Sequence, residues 1–179
     1  LGKNEKLLQD RQAICRERLL RQYPSTMELF QKLMGGQEAE SLWNRNVRSE
    51  DFLTVRLGFG RMDISGMIKT PPIRFSVTSD DLEERPGELK AAYQCILQVP
   101  SLLAIASHKL TGLIGRHETV QDILSNIVLQ LAMLHSYTDV RLICLLKEQD
   151  RVRFGWLRWL PHTFSPDRSR RLVACTEQE

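Results

Sequence analysis

The stretch GLIGRHETVQD, residues 112–122, lies where a phosphate-binding loop would be expected, because an apolar run ends at Gly115 and a strongly periodic helix follows. A phosphate loop has the form G-x-x-x-x-G-K followed by Ser or Thr, in which the lysine binds phosphate and the hydroxyl binds Mg²⁺. Counted from Gly115, the last three positions hold Val120, Gln121 and Asp122. Valine resists the tight turn, glutamine carries no charge and aspartate repels phosphate. We therefore predict no ordinary ATP hydrolysis at this turn.

The helix after this turn still has free amide groups and a partial positive charge at its start, which leaves weak anion binding open. We expect instead that Glu118 and Thr119 cap their own helix.

Histidines and cysteines are the other residues whose chemistry could define a site. His108, His117, His135 and His162 have no partner at metal-ligand spacing, and we predict them at the surface or at helix caps. The four cysteines lie far apart without a CxxC pair, which favours neither zinc nor disulfides and fits a reducing compartment. Cys95 and Cys144 lie in apolar runs and are predicted to be buried thiols.

The elements around the turn alternate along the chain. Helices are predicted at 3–22, at 118–135 and at 153–160, and at 26–34 behind a Ser25 and Glu28 capping box and before Gly35-Gly36. A further helix has Thr78, Ser79 or Asp80 as its cap and is predicted to be continuous from about Pro86 to 97. Strands are predicted at 52–57, 73–77, 101–108, 109–115, 140–146 and 170–176, with a turn at 58–60 and a break at Pro71-Pro72. The run at 140–146 is continuously apolar, as in a strand covered on both faces. This order predicts an α/β fold with parallel neighbours.

Composition and charge narrow the class of protein. The 179 residues are 42% hydrophobic and 26% charged, which is typical of a soluble globular domain, and no apolar run is long enough for a membrane span. The net charge is +3, and basic residues cluster at 1–22 and 151–171. Such clusters suit an anionic membrane surface, nucleic acid, an acidic partner or simply a solvated basic face. The acidic run at 80–84 is predicted to be a solvated helix start.

The segments beyond the turn resemble a known family. ILSNIVLQLAMLHSYTDVRLICLL followed by WLRWLPH is similar to the FtsK/SpoIIIE type of ATPase domain, with His135-Ser136, Asp139 and Pro161-His162 at its characteristic positions. Leu146 stands where active members usually carry an aspartate. LWNRNVRSEDFLTVRLGFG, VPSLLAI and RRLVA further resemble a region of the type VII secretion ATPases EccC and EssC, and the match covers roughly residues 24–176.

The resemblance implies a P-loop-NTPase-like (Rossmann-like) α/β sheet with flanking helices, a small β element and no working nucleotide site, with truncation at the C-terminus left open. Residues 1–40 would be a membrane-proximal stalk helix and a linker helix, and residues 41–179 the degenerate domain. The implied role is a non-catalytic module at the cytoplasmic face of a bacterial membrane, linking the membrane-embedded part to downstream ATPase domains and supporting subunit assembly. ATP and Mg²⁺ would bind only in those downstream domains.

The implied partners are the downstream domains, neighbouring subunits and membrane components of the secretion machine, and no nucleic acid. Trp156 and Trp159 are spaced as a helix face and are expected to pack in the core, with an interface as the alternative. Trp43 with Phe52 is expected to hold the stalk on the domain. The interface candidates are Trp43, Trp156, Trp159, Arg16, Arg18 and Arg21. Two other functions stay open, an ATP-binding domain with an unusual loop and a DNA-binding module built on the basic segment 151–171.

Overall fold

The computed structural model describes residues 2–35, 42–70 and 81–176. Its helices are α1 (Gly2–Gln22), α2 (Thr26–Met34), α3 (Asp81–Tyr93) and α4 (His117–Leu134). Its strands are β1 (Thr54–Asp63), β2 (Cys95–Ala104), β3 (Cys144–Lys147) and β4 (Val173–Thr176), with short 3₁₀ turns between them. The chain is therefore mixed α/β, as predicted.

Helices α1, α2 and α4 confirm the predictions made from periodicity and capping. Ser25 accepts a hydrogen bond from the Glu28 N–H at 3.2 Å, and the Glu28 carboxylate accepts one from the Ser25 N–H at 2.5 Å. This reciprocal capping box holds the pKa of Glu28 below its ordinary value, mainly through the Ser25 N–H. Helix α2 ends at Met34 with Gly35 as its C-cap.

The turn predicted at 58–60 is wrong, because β1 continues through both glycines to Asp63. A Cβ added at Gly60 would lie 3.4 Å from the Cβ of Ser101, so this glycine permits a close approach of two strand segments. Glycine in an apolar run signals either a turn or such an approach, and the local sequence does not distinguish the two.

The predictions for 86–115 are wrong in their boundaries. Helix α3 begins at Asp81, where the acidic run was predicted to start a helix, and contains Pro86, but it ends at Tyr93 rather than at 97. Residues 95–97 belong to β2, which ends at Ala104, and residues 109–115 form no strand. Short apolar runs of this length fit either a helix or a strand. The predictions at 71–80, namely the proline break, the strand 73–77 and the helix cap, lie outside the described residues.

The described strands form two separate pairs, β1 with β2 and β3 with β4. β3 and β4 run parallel, with Cys144 opposite Val173 and Lys147 opposite Thr176, in agreement with the predicted parallel neighbours. β3 is shorter than the predicted strand, and Ile143 just before it and Leu145 within it are 75% and 74% exposed, so the predicted cover on both faces is wrong. A complete Rossmann-like sheet stays a prediction.

The segment 153–160, predicted as a short helix, is a 3₁₀ turn at Gly155–Trp159. The final predicted strand is confirmed over Val173–Thr176. Among the described helices, none combines the length and the apolar character that a membrane span requires.

The chain divides into two compact units, one formed by residues 1–24 and 58–101 and the other by residues 25–57 and 102–179. In the first unit α1 lies beside α3, and the Gln9 and Gln12 side chains donate to the Tyr93 hydroxyl at 2.7 Å and the Tyr93 carbonyl at 2.8 Å. In the second unit α2 packs on α4. The core of that unit is formed by Val55, Ile127 and Leu131. The predicted division near residue 40 stays a prediction.

Candidate functional site at the two ends of α4

The turn before α4 does not have the length of a phosphate loop. Helix α4 begins at His117, so Val120, Gln121 and Asp122 already lie in helical turns. A phosphate loop instead wraps its backbone amides around the anion before its helix begins. Gly115 lies outside the left-handed region, and a Cβ added to it would make only an ordinary contact of 3.6 Å with Val120. No feature of this glycine requires the absence of a side chain.

The predicted caps of α4 are wrong. The N-cap residue is Arg116, and it makes no side-chain capping hydrogen bond. An arginine side chain has no acceptor, so it cannot satisfy the first amides of the helix. Glu118 lies in the first turn, where its charge still favours the helix dipole.

A carboxylate-rich cluster surrounds the start of α4. The Gln121 side chain is 9% exposed, and its amide donates to the Asp150 carboxylate at 2.6 Å. His117 Nε2 lies 3.1 Å from the same carboxylate oxygen. Asp122 forms an ion pair with Arg153. The residues at the lysine and hydroxyl positions of a phosphate loop, Gln121 and Asp122, therefore bind Asp150 and Arg153 later in the chain. The Asp122 and Asp150 carboxylates make this cluster anionic.

The opposite end of α4 is closed by a hydrogen-bonded cluster that we call the hub. The last four carbonyls of a helix have no partner within it. In α4 they accept from the segment 43–45 and from His135. The bonds run from His135 N–H to Leu131 O at 3.1 Å, Trp43 Nε1–H to Ala132 O at 2.9 Å, Trp43 N–H to Met133 O at 3.0 Å and Arg45 N–H to Leu134 O at 3.1 Å. Every one of these carbonyls is thus satisfied by a residue outside α4.

His135 is the centre of the hub and is fully buried. Its Nε2 accepts from the Leu53 N–H at 3.0 Å, which places the ring proton on Nδ1, 3.2 Å from the Leu131 carbonyl. The ring of Phe52 meets the imidazole edge to face, with centroids 5.4 Å apart. This histidine therefore joins the chain just before β1 to the end of α4.

His162 is also fully buried and donates from Nε2 to the His135 carbonyl at 2.8 Å. Its Nδ1 is buried and has no hydrogen-bond partner in the described part of the chain. The predicted capping role is confirmed for His135, which is the C-cap of α4 although it is buried. The predicted surface or capping role is wrong for His162, whereas His108 and His117 are exposed as predicted. Burial lowers the pKa of both His135 and His162, because the charged imidazolium loses its solvation.

The hub also contains an ion pair between Arg45, whose N–H donates to α4, and Asp51. Arg45 is 4% exposed; its Nε lies 2.9 Å from the Asp51 carboxylate, and its Nη1 donates to the Thr54 carbonyl at 2.6 Å. Trp43 and Leu53 both have positive φ, 54° each, which is uncommon for bulky residues and needs support from surrounding contacts. In both cases that support includes hydrogen bonds to α4 or His135.

Further along β1, the side-chain amide of Gln130 forms hydrogen bonds with both backbone polar groups of Arg56, as a neighbouring strand would. Its Oε1 accepts from the Arg56 N–H at 2.8 Å and its Nε2 donates to the Arg56 carbonyl at 2.6 Å. Asn126 donates to the same carbonyl at 3.1 Å. Because Gln130 is 1% exposed, this contact fixes α4 against β1 without access of water.

The interface candidates lie in different places. Trp43 is 56% exposed, and its indole N–H and backbone N–H both donate to carbonyls of α4. Trp156 is half-buried and Trp159 is 71% exposed beneath the Arg158 guanidinium, so core packing is wrong for Trp159. The turn buries Leu157 instead. Arg16, Arg18 and Arg21 are all exposed on α1.

The thiols predicted to be buried, Cys95 and Cys144, are only half-buried, and all four cysteines are free. Partial burial raises the pKa of the Cys144 thiol. Within the described ranges, no three His, Cys, Asp or Glu side chains come together as a metal site would require.

The family resemblance was carried mainly by residues that meet in the hub. His135 and His162 come from its histidine and proline–histidine motifs, and Trp43, Arg45 and Asp51 from its LW and DFL stretch. Sequence reasoning located these residues but missed their burial and their mutual contacts. Gln130 was missed altogether, and its only signal is a polar residue on an otherwise apolar face of α4.

Comparisons with known proteins agree with the family resemblance. No protein-family model matches the chain. The ESX secretion system protein EccC of Geobacillus thermodenitrificans is 31% identical over 129 residues, which is 70% of this chain and 8% of that protein. The ESX secretion system protein YukB of Bacillus subtilis is 26% identical over 80% of this chain and 10% of its own length. The type VII secretion system protein EssC of Staphylococcus aureus is 26% identical over 78% of this chain and 9% of its own length.

The chain is thus homologous to a segment of secretion-system proteins, and it spans about a tenth of the length of the curated relatives that it matches. It belongs to the EccC/EssC family of type VII secretion proteins.

Proposed function

We propose that this segment is a non-catalytic coupling module of a type VII secretion motor. It connects the membrane-embedded part of the full-length protein, on the cytoplasmic side, with downstream ATPase domains, and it supports assembly of subunits. It binds no nucleotide and performs no reaction of its own. ATP and Mg²⁺ are used by other domains of the full-length protein.

The observation that carries the proposal is the position of the hub. The resemblance rests mainly on residues that seal the C-terminal end of α4, away from the turn where a nucleotide would bind. His135, His162 and Gln130 are at most 1% exposed and cannot reach a ligand. Their hydrogen bonds hold the segment 43–56 rigidly on α4, which suits a part that transmits position between neighbouring elements.

The two rival functions have less support. A nucleotide module would need amides free to surround phosphate, whereas the turn passes directly into α4 beside Asp150 and Asp122. A DNA-binding module would rest on the arginines of 151–171. Several of these already contact other side chains, namely Arg151 with Glu148, Arg153 with Asp122, Arg168 with Tyr137 and Arg171 with Phe164.

The test uses two variants in a full-length EccC- or EssC-type protein that carries this segment. Arg116→Glu places a negative charge at the start of α4, where it would repel a phosphate but favour the helix dipole. The proposal predicts unchanged export of secreted protein for Arg116→Glu. It predicts reduced export with continued ATP hydrolysis for His135→Leu, which loosens the hub. A strong loss with Arg116→Glu and none with His135→Leu would instead favour the nucleotide-binding rival.

A further inference from the structure

Helix α1 has two opposite sides, and only one of them packs within its own unit. Gln9 and Gln12 lie on the packed side, where they bond to Tyr93. Leu7 and Ile14 lie on the other side, seven residues apart and therefore nearly in line along the helix. They are 50% and 65% exposed. The outer side of α1 thus carries an apolar line without a partner in its own unit.

Charges of opposite sign flank this line. At 100° per residue, Arg11 and Arg18 lie on one flank of Leu7 and Ile14, and Asp10 and Glu17 lie on the other. All four charged side chains are exposed. None of them forms an ion pair with another side chain in the described part of the chain. Over residues 7–18 the outer side of α1 is therefore a strip with a basic edge, an apolar centre and an acidic edge.

Such a strip is complementary to a second copy of itself in only one orientation. When two identical helices pack face to face and parallel, the basic edge of one meets the acidic edge of the other on both sides of the contact. When they pack antiparallel, each edge meets its own kind, so that arginines face arginines and carboxylates face carboxylates. Charges beside an apolar seam select partner and orientation in this way in coiled coils.

We propose that the outer side of α1 is a homotypic contact, in which α1 helices of neighbouring subunits pack parallel through Leu7 and Ile14. The inference rests on the proposed function only in its assembly part and is independent of nucleotide binding. Two apolar positions make a weak seam, so the contact forms at high local concentration. The occupant of this surface is a second copy of the same chain.

Charge exchange provides the test, with sedimentation equilibrium over a range of protein concentrations as the readout. The native chain is expected to self-associate reversibly and less strongly at high salt. Arg11→Glu with Arg18→Glu makes both edges acidic, and Asp10→Arg with Glu17→Arg makes both edges basic. Each double variant alone should lose at least about tenfold in association constant, since about 1.4 kcal/mol corresponds to that factor. An equimolar mixture should recover association as a one-to-one complex.

The control is Arg16→Glu, which reverses a charge on the side of α1 away from the apolar line and is compared with Arg18→Glu alone. It should associate like the native chain, and circular dichroism of all variants should report the same helix content. Orientation is read by cysteine cross-linking with Leu7→Cys and Ile14→Cys, where parallel packing joins like positions and antiparallel packing joins 7 to 14. A native chain that is monomeric at every concentration, a mixture that does not associate, or 7-to-14 cross-links would overturn the proposal. Tight ATP binding would overturn the proposed function without affecting this result.

Discussion

Replacing His135 with leucine tests whether the hub holds this unit of the fold together. Leucine fills most of the space of the imidazole but has no polar atom. The Leu53 N–H, which now bonds to Nε2 at 3.0 Å, would be left without its acceptor. A buried unsatisfied donor costs about 1–3 kcal/mol. Loss of the edge-to-face contact with Phe52 adds about 0.5–1.5 kcal/mol. The Leu131 carbonyl keeps the backbone N–H of residue 135, so the lost Nδ1 bond adds little.

We therefore expect His135→Leu to lower the free energy of unfolding by about 2–4 kcal/mol. With a urea dependence of about 2 kcal/mol per molar, the unfolding midpoint should fall by roughly 1–2 M. Urea titration followed by tryptophan fluorescence and circular dichroism measures the shift. His108→Leu makes the same change at an exposed site and should stay within about 0.5 kcal/mol of the native chain. If the two variants proved equally stable, the hub would not be the structural centre that its contacts indicate.

Three further predictions concern neighbouring contacts. Both buried histidines have a pKa below the ordinary value, so below about pH 6.5 the unfolded chain binds more protons than the folded chain does. The free energy of unfolding should therefore fall with acidification, by up to about 1.4 kcal/mol per pH unit for each histidine. Urea unfolding at several pH values measures this loss, which should be smaller in His135→Leu. Gln130→Leu leaves the Arg56 N–H without its acceptor and should cost about 1–3 kcal/mol in the same assay. Ser25→Ala removes the cap of α2 and should cost about 1 kcal/mol, seen as a lower melting temperature.

The helices that were predicted correctly depend on signals close together in the sequence. The Ser25 and Glu28 capping box is three residues long, and the apolar periodicity of α4 repeats over its 18 residues. The β strands depend on distant partners. The sequence 95–104 is apolar enough for a helix end or a strand, and its pairing with β1 decides between them.

Some features of the candidate site were likewise predictable from nearby residues in the sequence, and others depend on distant partners. The absence of a phosphate-loop lysine and hydroxyl was evident from Gln121 and Asp122 alone. The burial of His135 was not evident, because the donor to its Nε2, the Leu53 N–H, lies 82 residues earlier in the chain. A histidine with a neutral, fully bonded ring has the same local sequence signature as an exposed one. The motifs that carry the resemblance contain Trp43, Arg45, His135 and His162, and only the contacts reveal that these residues meet at the end of α4.

We propose that the turn at 112–122 is structural and binds no nucleotide. Isothermal titration calorimetry of the 179-residue chain with ATP and Mg²⁺ tests it most directly. We expect no heat beyond dilution, for the native chain and for Arg116→Glu alike. One-to-one binding in the native chain that Arg116→Glu abolishes would contradict it, and would make the start of α4 a nucleotide sensor.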